Sequence, residues 1–412
     1  MRGNLPKLVS GRSARLQQGL QKSRVTGPPV VAESASETGN IAPLEVVDPV
    51  MTIEYPAFKA AACHASSVFL DAEKTAEKAC DLIAEAARGG AELVVFPESF
   101  LPGFPIWAAL QAPIYNHGFF RALVSQAQKL SDPAIRSIRM AARRHGVFVS
   151  LGFTEGTEAS VGCIWNSNIL IGDDGTILNH HRKLVPTFYE KLVWANGDAR
   201  GLRVSPTRLG RLGMLICGEN TNPLSRYALM AQGEQVHMSS YPPIWPTRPP
   251  AEDGAYDLKR AIEIRAGAHA FEAKVFNIVA SGFVDAAMRD ALGSANRASL
   301  EIIDGSPRGI SLVMDPSCNV VGDVLSEYEG ILYADIDTAK GVEPKQFHDV
   351  VGYYNRFDIF NLTVNRTPLE PAHFVELPVN DAGHDQGRPS QPEKDEFQPR
   401  DVVDAGARAK FG

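Results

Sequence analysis

Apolar positions change their period along the chain, and each change predicts an element. Phe58–Cys63 is short and mostly apolar, as a strand would be. Asp71 can then cap a helix in which Ala76, Ala79, Cys80 and Ile83 recur at three-to-four spacing until Gly89-Gly90. Leu93–Phe96 is apolar without a break, the pattern of a strand buried on both faces. Helical spacing returns at 117–130 and at 133–145, where Gly146 ends it, and Val147–Phe153 is again strand-like. Cys163–Ile171 and Thr176–Lys183 flank Asp173-Asp174-Gly175, a hairpin turn signal. Gly213–Cys217 is a second unbroken apolar strand. It is followed by a helix near 223–232, a strand at 235–239, a long helix near 256–274 and a strand at Val275–Ser281. Ile310–Met314, Val320–Val324 and Ile331–Ile336 read as closing antiparallel strands. The alternation predicts a layered α/β protein with mixed sheets.

The pattern stops at both ends. Residues 1–27 carry six basic side chains and no acid, with Leu5, Leu8, Leu16 and Leu20 on a loose helical face. That is the composition of a mitochondrial presequence; a disordered extension, or a start at Met51, is the plainer alternative. Beyond Glu370 the chain is rich in Pro, Gly, Asp and Gln without apolar periodicity, so it reads as a disordered tail. The expected organisation is an extension over 1–55, one domain over 56–365 and a tail over 366–412. The expected location is cytoplasmic, with mitochondrial import as the alternative that the basic front raises.

Composition narrows the function. Of the 412 residues 44% are hydrophobic and 22% charged, which supports a large core. A net charge of −7 argues against nucleic acid as partner, and no run approaches 18 consecutive apolar residues, which argues against a membrane span. Five cysteines at 63, 80, 163, 217 and 318, with no C-x-x-C, suit neither a disulfide framework nor a zinc knuckle.

One cysteine stands out by position. Cys217 ends an apolar strand, and Gly218-Glu219-Asn220 and a helix follow. A sharp turn there would expose the sulfur, and a helix N-terminus would favour its thiolate. Taken alone, a small buried hydrophobe is the commoner fate of a cysteine. Glu98 ends the other buried strand, Leu93-Val-Val-Phe-Pro97, where a half-buried carboxylate with a raised pKa could take a thiol proton. Lys183 ends the strand after the hairpin and could stabilise developing negative charge. Glu190, seven residues on, could hold Lys183 or orient a water. Each of these three, read singly, is an ordinary surface charge.

In combination they are informative. Val-Val-Phe-Pro-Glu98, then Arg182-Lys183-Leu-Val-Pro-Thr-x-x-Glu190, then Leu-Ile-Cys217-Gly-Glu-Asn resembles the carbon–nitrogen hydrolase family, and its nitrilase branch most closely. His64-Ala-Ser-Ser-Val-Phe-Leu-Asp71, Leu-Pro-Gly-Phe-Pro at 101–105, Trp194-Ala-Asn-Gly-Asp198 and Asn222-Pro-Leu224 extend the match. His348 to Asp358 resembles the family's terminal strand motif.

The resemblance implies a four-layer αββα sandwich that pairs with a second subunit, as a homodimer or larger homo-oligomer. It implies Cys217 as nucleophile, Glu98 as general base, Lys183 as stabiliser of the intermediate and Glu190 as supporting glutamate. It calls for no metal and no organic cofactor; the partners are a small nitrile and water. Trp165, Phe188, Gly218 and Tyr241 are expected to bind substrate, with Trp107, Tyr115 and Trp245 as further candidate walls. Arg226, Tyr227 and Met230 are expected at the subunit contact, with core packing as the alternative for the last two. Gly218 stands where many nitrilases carry Trp, and is expected to leave the site roomier; Gly352-Tyr353-Tyr354 departs from the more usual Gly-His-Tyr. The implied activity is hydrolysis of a nitrile to acid and ammonia. A nitrile or cyanide hydratase, an amidase, and an inactive scaffold of the same fold are the alternatives.

Overall fold

The unbroken apolar runs of the sequence become the middle of two sheets. The structure, a computed structural model, describes residues 53–372 apart from 250, 251, 253 and 296. The basic front and most of the expected tail therefore lie outside the described residues.

In chain order the strands are β1 (Ala57–His64), β2 (Leu93–Val95), β3 (Phe148–Glu155), β4 (Trp165–Ile171), β5 (Ile177–Arg182), β6 (Ser205–Thr207), β7 (Gly210–Ile216), β8 (Val236–Tyr241), β9 (Phe276–Ser281), β10 (Leu312–Met314) and β11 (Gly330–Asp337). The α-helices are α1 (Ala72–Arg88), α2 (His117–Gln126), α3 (Pro133–His145), α4 (Pro223–Met230), α5 (Leu258–Ala273), α6 (Ala286–Ala295), α7 (Ala298–Gly305) and α8 (Val342–Phe347). One sheet runs β11-β1-β2-β3-β4-β5 and the other β10-β9-β8-β7-β6. β1, β2 and β3 are mutually parallel, as are β7, β8 and β9, so each sheet has a parallel centre with antiparallel edges.

Period-two alternation sorts the strand residues into layers. Ala60, Ala62, Leu93 and Val95 of the first sheet face Met214, Met238, Ile278 and Val313 of the second. Their alternates Ala61, Cys63, Val94 and Val149 pack outward against Ala76, Ala79 and Ile83 of α1 and Ile135 and Ile138 of α3. On the far side, Val279 and Leu312 pack against Ile262 and Ala266 of α5, and Leu215 against Ala228 and Leu229 of α4. The expected αββα layering is the observed one. Asp71 accepts from the N–H of Lys74 at the start of α1, and Gly146, with φ of +63°, closes α3 in the left-handed conformation. Ile83 is wholly buried between these layers, so Ile83→Ala would cost roughly 2–5 kcal/mol.

Several expectations need correction. Val320–Val324 is not a strand: it makes only the isolated bridge Met314–Val320, with Ser311–Leu325 just beyond, and Gly322 turns it at φ of +74°. His348 to Asp358 forms turns, because Asp349 draws the N–H groups of Val351, Gly352 and Tyr354 back on itself. The helix expected over 117–130 ends at Gln126, where Ala127 is extended. The sequence pattern predicts neither α6 nor α7, whose Met288, Leu292 and Ile303 are buried in one cluster with Phe104 and Trp107. Among the described residues no helix is long and apolar enough to cross a membrane.

Candidate active site

β2 stops at Val95, and Phe96-Pro97 carries the chain to Glu98; β7 stops at Ile216, and Cys217 follows. The two sheets touch here through main chain, where the N–H of Glu98 donates to the carbonyl of Tyr241 over 3.4 Å. Gly152 lets the Glu98 turn lie close, since a Cβ on it would fall 2.3 Å from the carbonyl oxygen of Pro97. Three non-glycine residues beside the site have left-handed backbones: Ser99 (φ +46°), Phe188 (φ +51°) and Cys217 (φ +48°). Each costs about 1–2 kcal/mol, strain that surrounding contacts must hold.

The structure brings all four expected residues together. Lys183 Nζ lies 2.6 Å from Glu98 Oε1 and 2.6 Å from Glu190 Oε2, and all three side chains are sealed from solvent. Cys217 Sγ and a carboxylate oxygen from each of Glu98 and Glu190 lie within 4.8 Å of one another. Glu98 Oε1 also accepts from Asn166 Nδ2 at 2.7 Å, whereas its Oε2 has no hydrogen-bond partner. Thr187 and Glu190 form a capping box: Glu190 Oε2 accepts from the N–H of Thr187, whose side chain caps the short 3₁₀ turn that follows. Trp245 Nε1 donates to Glu190 Oε1 at 3.3 Å.

Charge balance sets the proton positions. Burial pushes Glu98 up, Lys183 pulls it back, and Glu190 pushes it up again; the outcome is about 7, against an ordinary 4.5. Burial works against the Lys183 ammonium, but Glu190 and Glu98 outweigh it and hold the lysine well above its ordinary value. Burial, and then Glu98, push the Cys217 thiol well up, with Lys183 opposing. This corrects the expectation of a thiolate favoured by a helix N-terminus. Cys217 opens a five-residue 3₁₀ turn, Cys217–Thr221, and α4 starts only at Pro223, so little helix dipole reaches the sulfur. Cys217 rests as a thiol beside a carboxylate of near-neutral pKa. The N–H of Gly218 lies in the first turn of that 3₁₀ segment, where a helix offers no internal acceptor.

The expected substrate residues separate. Phe188 is 62% exposed and borders three cavities. One, of about 270 Å³, includes Gly218 and Thr187; another, of about 740 Å³, includes Trp245 and Tyr256. Gly218 is not roomy, however: a Cβ there would meet Thr187 Oγ1 at 2.6 Å. Tyr241 is wholly buried in the cluster that holds Cys217, rather than at a cavity wall. Trp165 lies under Arg182, 3.9 Å from guanidinium carbon to ring centroid, and donates to the carbonyl of Asn196; its neighbour Asn166 is the β4 residue that reaches Glu98. Trp107 is buried and stacks on Phe119, and Tyr115 is exposed on a short turn. Arg226 and Met230 are buried within this chain, against Glu272 and against Ala273 and Val275. Tyr227 meets Asn355.

Sequence reasoning passed over Glu219. Its buried carboxylate accepts from the N–H of Ile216 at 2.8 Å, the N–H of Leu184 at 2.5 Å and His181 Nε2 at 2.9 Å. It thereby ties the Cys217 turn to the residue after Lys183. Thr187-x-x-Glu190 was a readable capping signal; nothing local marks Glu219 or Asn166. Glu98, Glu190 and Cys217 also form a donor set that could hold a cation, but the Lys183 ammonium already lies against both carboxylates.

Residues 59–345 match the family described as carbon-nitrogen hydrolase. A nitrilase from Paraburkholderia phymatum is 31% identical over 316 residues, covering 76% of this chain and 87% of that protein. A nitrilase described as bromoxynil-specific, from Klebsiella pneumoniae subsp. ozaenae, is 33% identical over 75% of this chain and 85% of its own length. Among solved structures, the NitFhit protein of C. elegans superposes with a TM-score of 0.57 at 21% identity, over 76% of this chain and 69% of that one. An amidase from Nesterenkonia sp. does so with a TM-score of 0.51 at 19% identity, over 70% and 93%. The paired sheets, the family match along most of the chain and the nitrilase relatives agree: the chain belongs to the nitrilase branch of the carbon–nitrogen hydrolase family.

Proposed function

We propose that the protein is a nitrilase that converts an organic nitrile and two waters to a carboxylic acid and ammonia. The observation that carries this is the convergence of the Cys217 thiol, the near-neutral Glu98 carboxylate and the Lys183 ammonium in one sealed cluster. Cys217 Sγ bonds to the nitrile carbon as Glu98 takes the thiol proton. One carbon–nitrogen bonding pair moves to nitrogen, which receives that proton from Glu98 and gives a thioimidate. A water then adds at carbon, giving a proton to Glu98 as the carbon–nitrogen π pair moves to nitrogen; nitrogen takes that proton and then, again through Glu98, the hydroxyl proton, and ammonia leaves as the carbon–oxygen double bond of a thioester forms. A second water adds in the same way and expels the sulfur, which recovers its proton. Lys183 and the Gly218 N–H bind the negative charge that develops in these steps; one such donor is worth roughly 3–4 kcal/mol.

Expulsion of sulfur instead of nitrogen from the first adduct would release an amide, the hydratase outcome. The test is a panel of aliphatic, arylaceto- and aromatic nitriles with ammonia and amide both quantified, run beside the matching amides. Acid and ammonia as main products support the proposal. Dominant amide release, or faster hydrolysis of the amides, would replace it. Cys217→Ala should lower the rate at least about a thousandfold; a cellular role that survives this change intact would point to a scaffold instead.

We also propose that the enzyme works as a homodimer or larger assembly. Tyr353, Tyr354, Phe357, Ile359 and Phe360, after α8, are each 58–70% exposed, and such a run of apolar surface suits burial by a second copy. Sedimentation of the intact chain as a monomer at working concentration would overturn this.

A further inference from the structure

A second buried polar cluster lies beside the turn of the nucleophile, and the reaction above makes no use of it. His237 and Ser239 stand on the face of β8 opposite the apolar Val236 and Met238, and both are wholly buried. Buried polar groups in such a place are costly unless each finds a partner. Here they form a chain. Asn220 Nδ2 donates to the carbonyls of Leu215 (3.3 Å) and Cys217 (3.2 Å). Asn220 Oδ1 lies 2.9 Å from His237 Nε2, and Ser239 Oγ, with one hydrogen to give, lies 3.2 Å from the same oxygen and 3.0 Å from Asn277 Oδ1. His237 Nδ1 lies 2.7 Å from Glu234 Oε1, and His269 Nε2, on α5, lies 2.7 Å from Glu234 Oε2. Gly213 on β7 makes room for this carboxylate: a Cβ there would fall 1.9 Å from Glu234 Oε1.

The hydrogens in this chain are determined by elimination. Carbonyls only accept, so the end of Asn220 that faces Leu215 and Cys217 is the amide nitrogen, and the end that faces His237 is the oxygen. His237 Nε2 therefore carries a hydrogen. Burial pushes Glu234 up, but His237 and His269 outweigh it and hold the carboxyl at about 2, so it only accepts. His237 Nδ1 lies 2.7 Å from that carboxylate, so the ring is held through both nitrogens, between Asn220 and Glu234. Burial, and then His237, lower His269 to about 4, consistent with a neutral ring that donates from Nε2. Two histidines and a glutamate are also a familiar set for a divalent cation. Here His237 Nδ1 and His269 Nε2 each face a different carboxylate oxygen at hydrogen-bond distance, and the rings stack with centroids 3.7 Å apart, so hydrogen bonds already join the three groups.

We propose that Asn220, His237 and Glu234 form a proton-ordered relay that grips the carbonyl of Cys217 and so fixes the left-handed turn presenting the thiol and the Gly218 N–H. These are positioning residues, and the proposal rests on Cys217 being the nucleophile. Cys217 needs such a hold, because an L-residue keeps a φ of +48° only when its surroundings impose it.

The test uses the purified full-length chain. Asn220→Asp keeps the shape and the acceptor toward His237 but puts an oxygen where the donor to Cys217 was. It should lower kcat about a hundredfold, with KM within about threefold, and slow alkylation of Cys217 by iodoacetamide. His237→Gln can still donate to Asn220 and should keep about ten times more kcat than His237→Phe. In the wild type at neutral pH, ¹⁵N NMR should show a hydrogen on His237 Nε2, the atom that faces Asn220 Oδ1. Unchanged kcat and alkylation in a folded Asn220→Asp, equal kcat in the two His237 variants, a bare Nε2 on His237, or stoichiometric bound metal would each overturn the relay. Should Asn220→Asp fail to fold, the His237 pair and the NMR measurement decide. The outcomes separate from the underlying reading: substantial hydrolysis by Cys217→Ala sinks that reading, whereas an inactive Cys217→Ala beside a fully active Asn220→Asp sinks the relay alone.

Discussion

Arg182 and Lys183 are neighbours in sequence, and each ends against a buried glutamate. Arg182 and His180 both meet Glu155, which also accepts from Ser167 at 2.6 Å. Lys183 meets Glu98 and Glu190 together. Burial pushes both Glu155 and Glu98 up; yet His180 and Arg182 bring Glu155 down to about 2, while Glu98 remains at about 7. The difference is the ratio of donors to carboxylates. Glu155 has two basic side chains and a hydroxyl to itself, so it stays an anion and braces β3, β4 and β5. Glu98 shares one ammonium with a second carboxylate and keeps an oxygen without a partner. It is the one equipped to take and return a proton near neutral pH.

Four measurements probe that contrast. The largest effect is expected from Lys183→Met, which leaves two buried carboxylates facing each other. Hydrolysis should fall more than about a thousandfold, and unfolding measurements should show a loss of roughly 3–5 kcal/mol. Next, Glu98→Gln should lower kcat about a thousandfold without loss of thermal stability, whereas Glu155→Gln should leave kcat within about tenfold and cost roughly 1.5–3 kcal/mol. A reversal of those two outcomes would exchange the roles assigned to them.

The third is a pH comparison with opposite signs. Glu155 is depressed in the fold, so its stabilisation is present above its ordinary 4.5 and is lost as pH falls toward about 2. Glu98 is raised, so its contribution to stability is present below 4.5 and is lost as pH rises through about 7, while activity rises over that same upper range as the base ionises. The acid limb of kcat/KM should therefore have its midpoint near 7, and Glu190→Gln should move it to lower pH by removing the competing carboxylate. A limb that stays in place would show that Glu190 does not set it. The smallest effect is expected at Gly218→Ala, which must displace Thr187 Oγ1 and should lower kcat by about threefold to tenfold.

The residues that sequence reading found are those whose own segment marks them. Glu98 and Cys217 each end an unbroken apolar run, and that run is unbroken because both faces of a central strand are covered. Lys183 follows a hairpin whose turn, Asp173-Asp174-Gly175, is equally plain, with Gly175 at φ of +82°. Trp165 shows where period-two reasoning fails: without the register, either of two adjacent residues could face the site, and Asn166 does. Glu219 and Asn220 were invisible as a device because their partners lie far away along the chain, at His181 and Leu184 and at His237. Positive φ at Ser99 and Phe188 carries no sequence signal either, since neither is glycine.

Glu98 stands on one sheet and Cys217 on the other, with apolar side chains filling the space between. A slip of one sheet over the other by an ångström would part Glu98 from Cys217 without breaking a single strand ladder. Turnover is thus a gauge of how fully the middle of the sandwich is packed. Shaving Met214 or Met238, which lie between the layers, should slow catalysis at temperatures where the circular dichroism of the fold is still intact. Substitutions around Phe188 and the cavities it borders should shift substrate preference, whereas substitutions in the apolar seam should change turnover for every substrate alike.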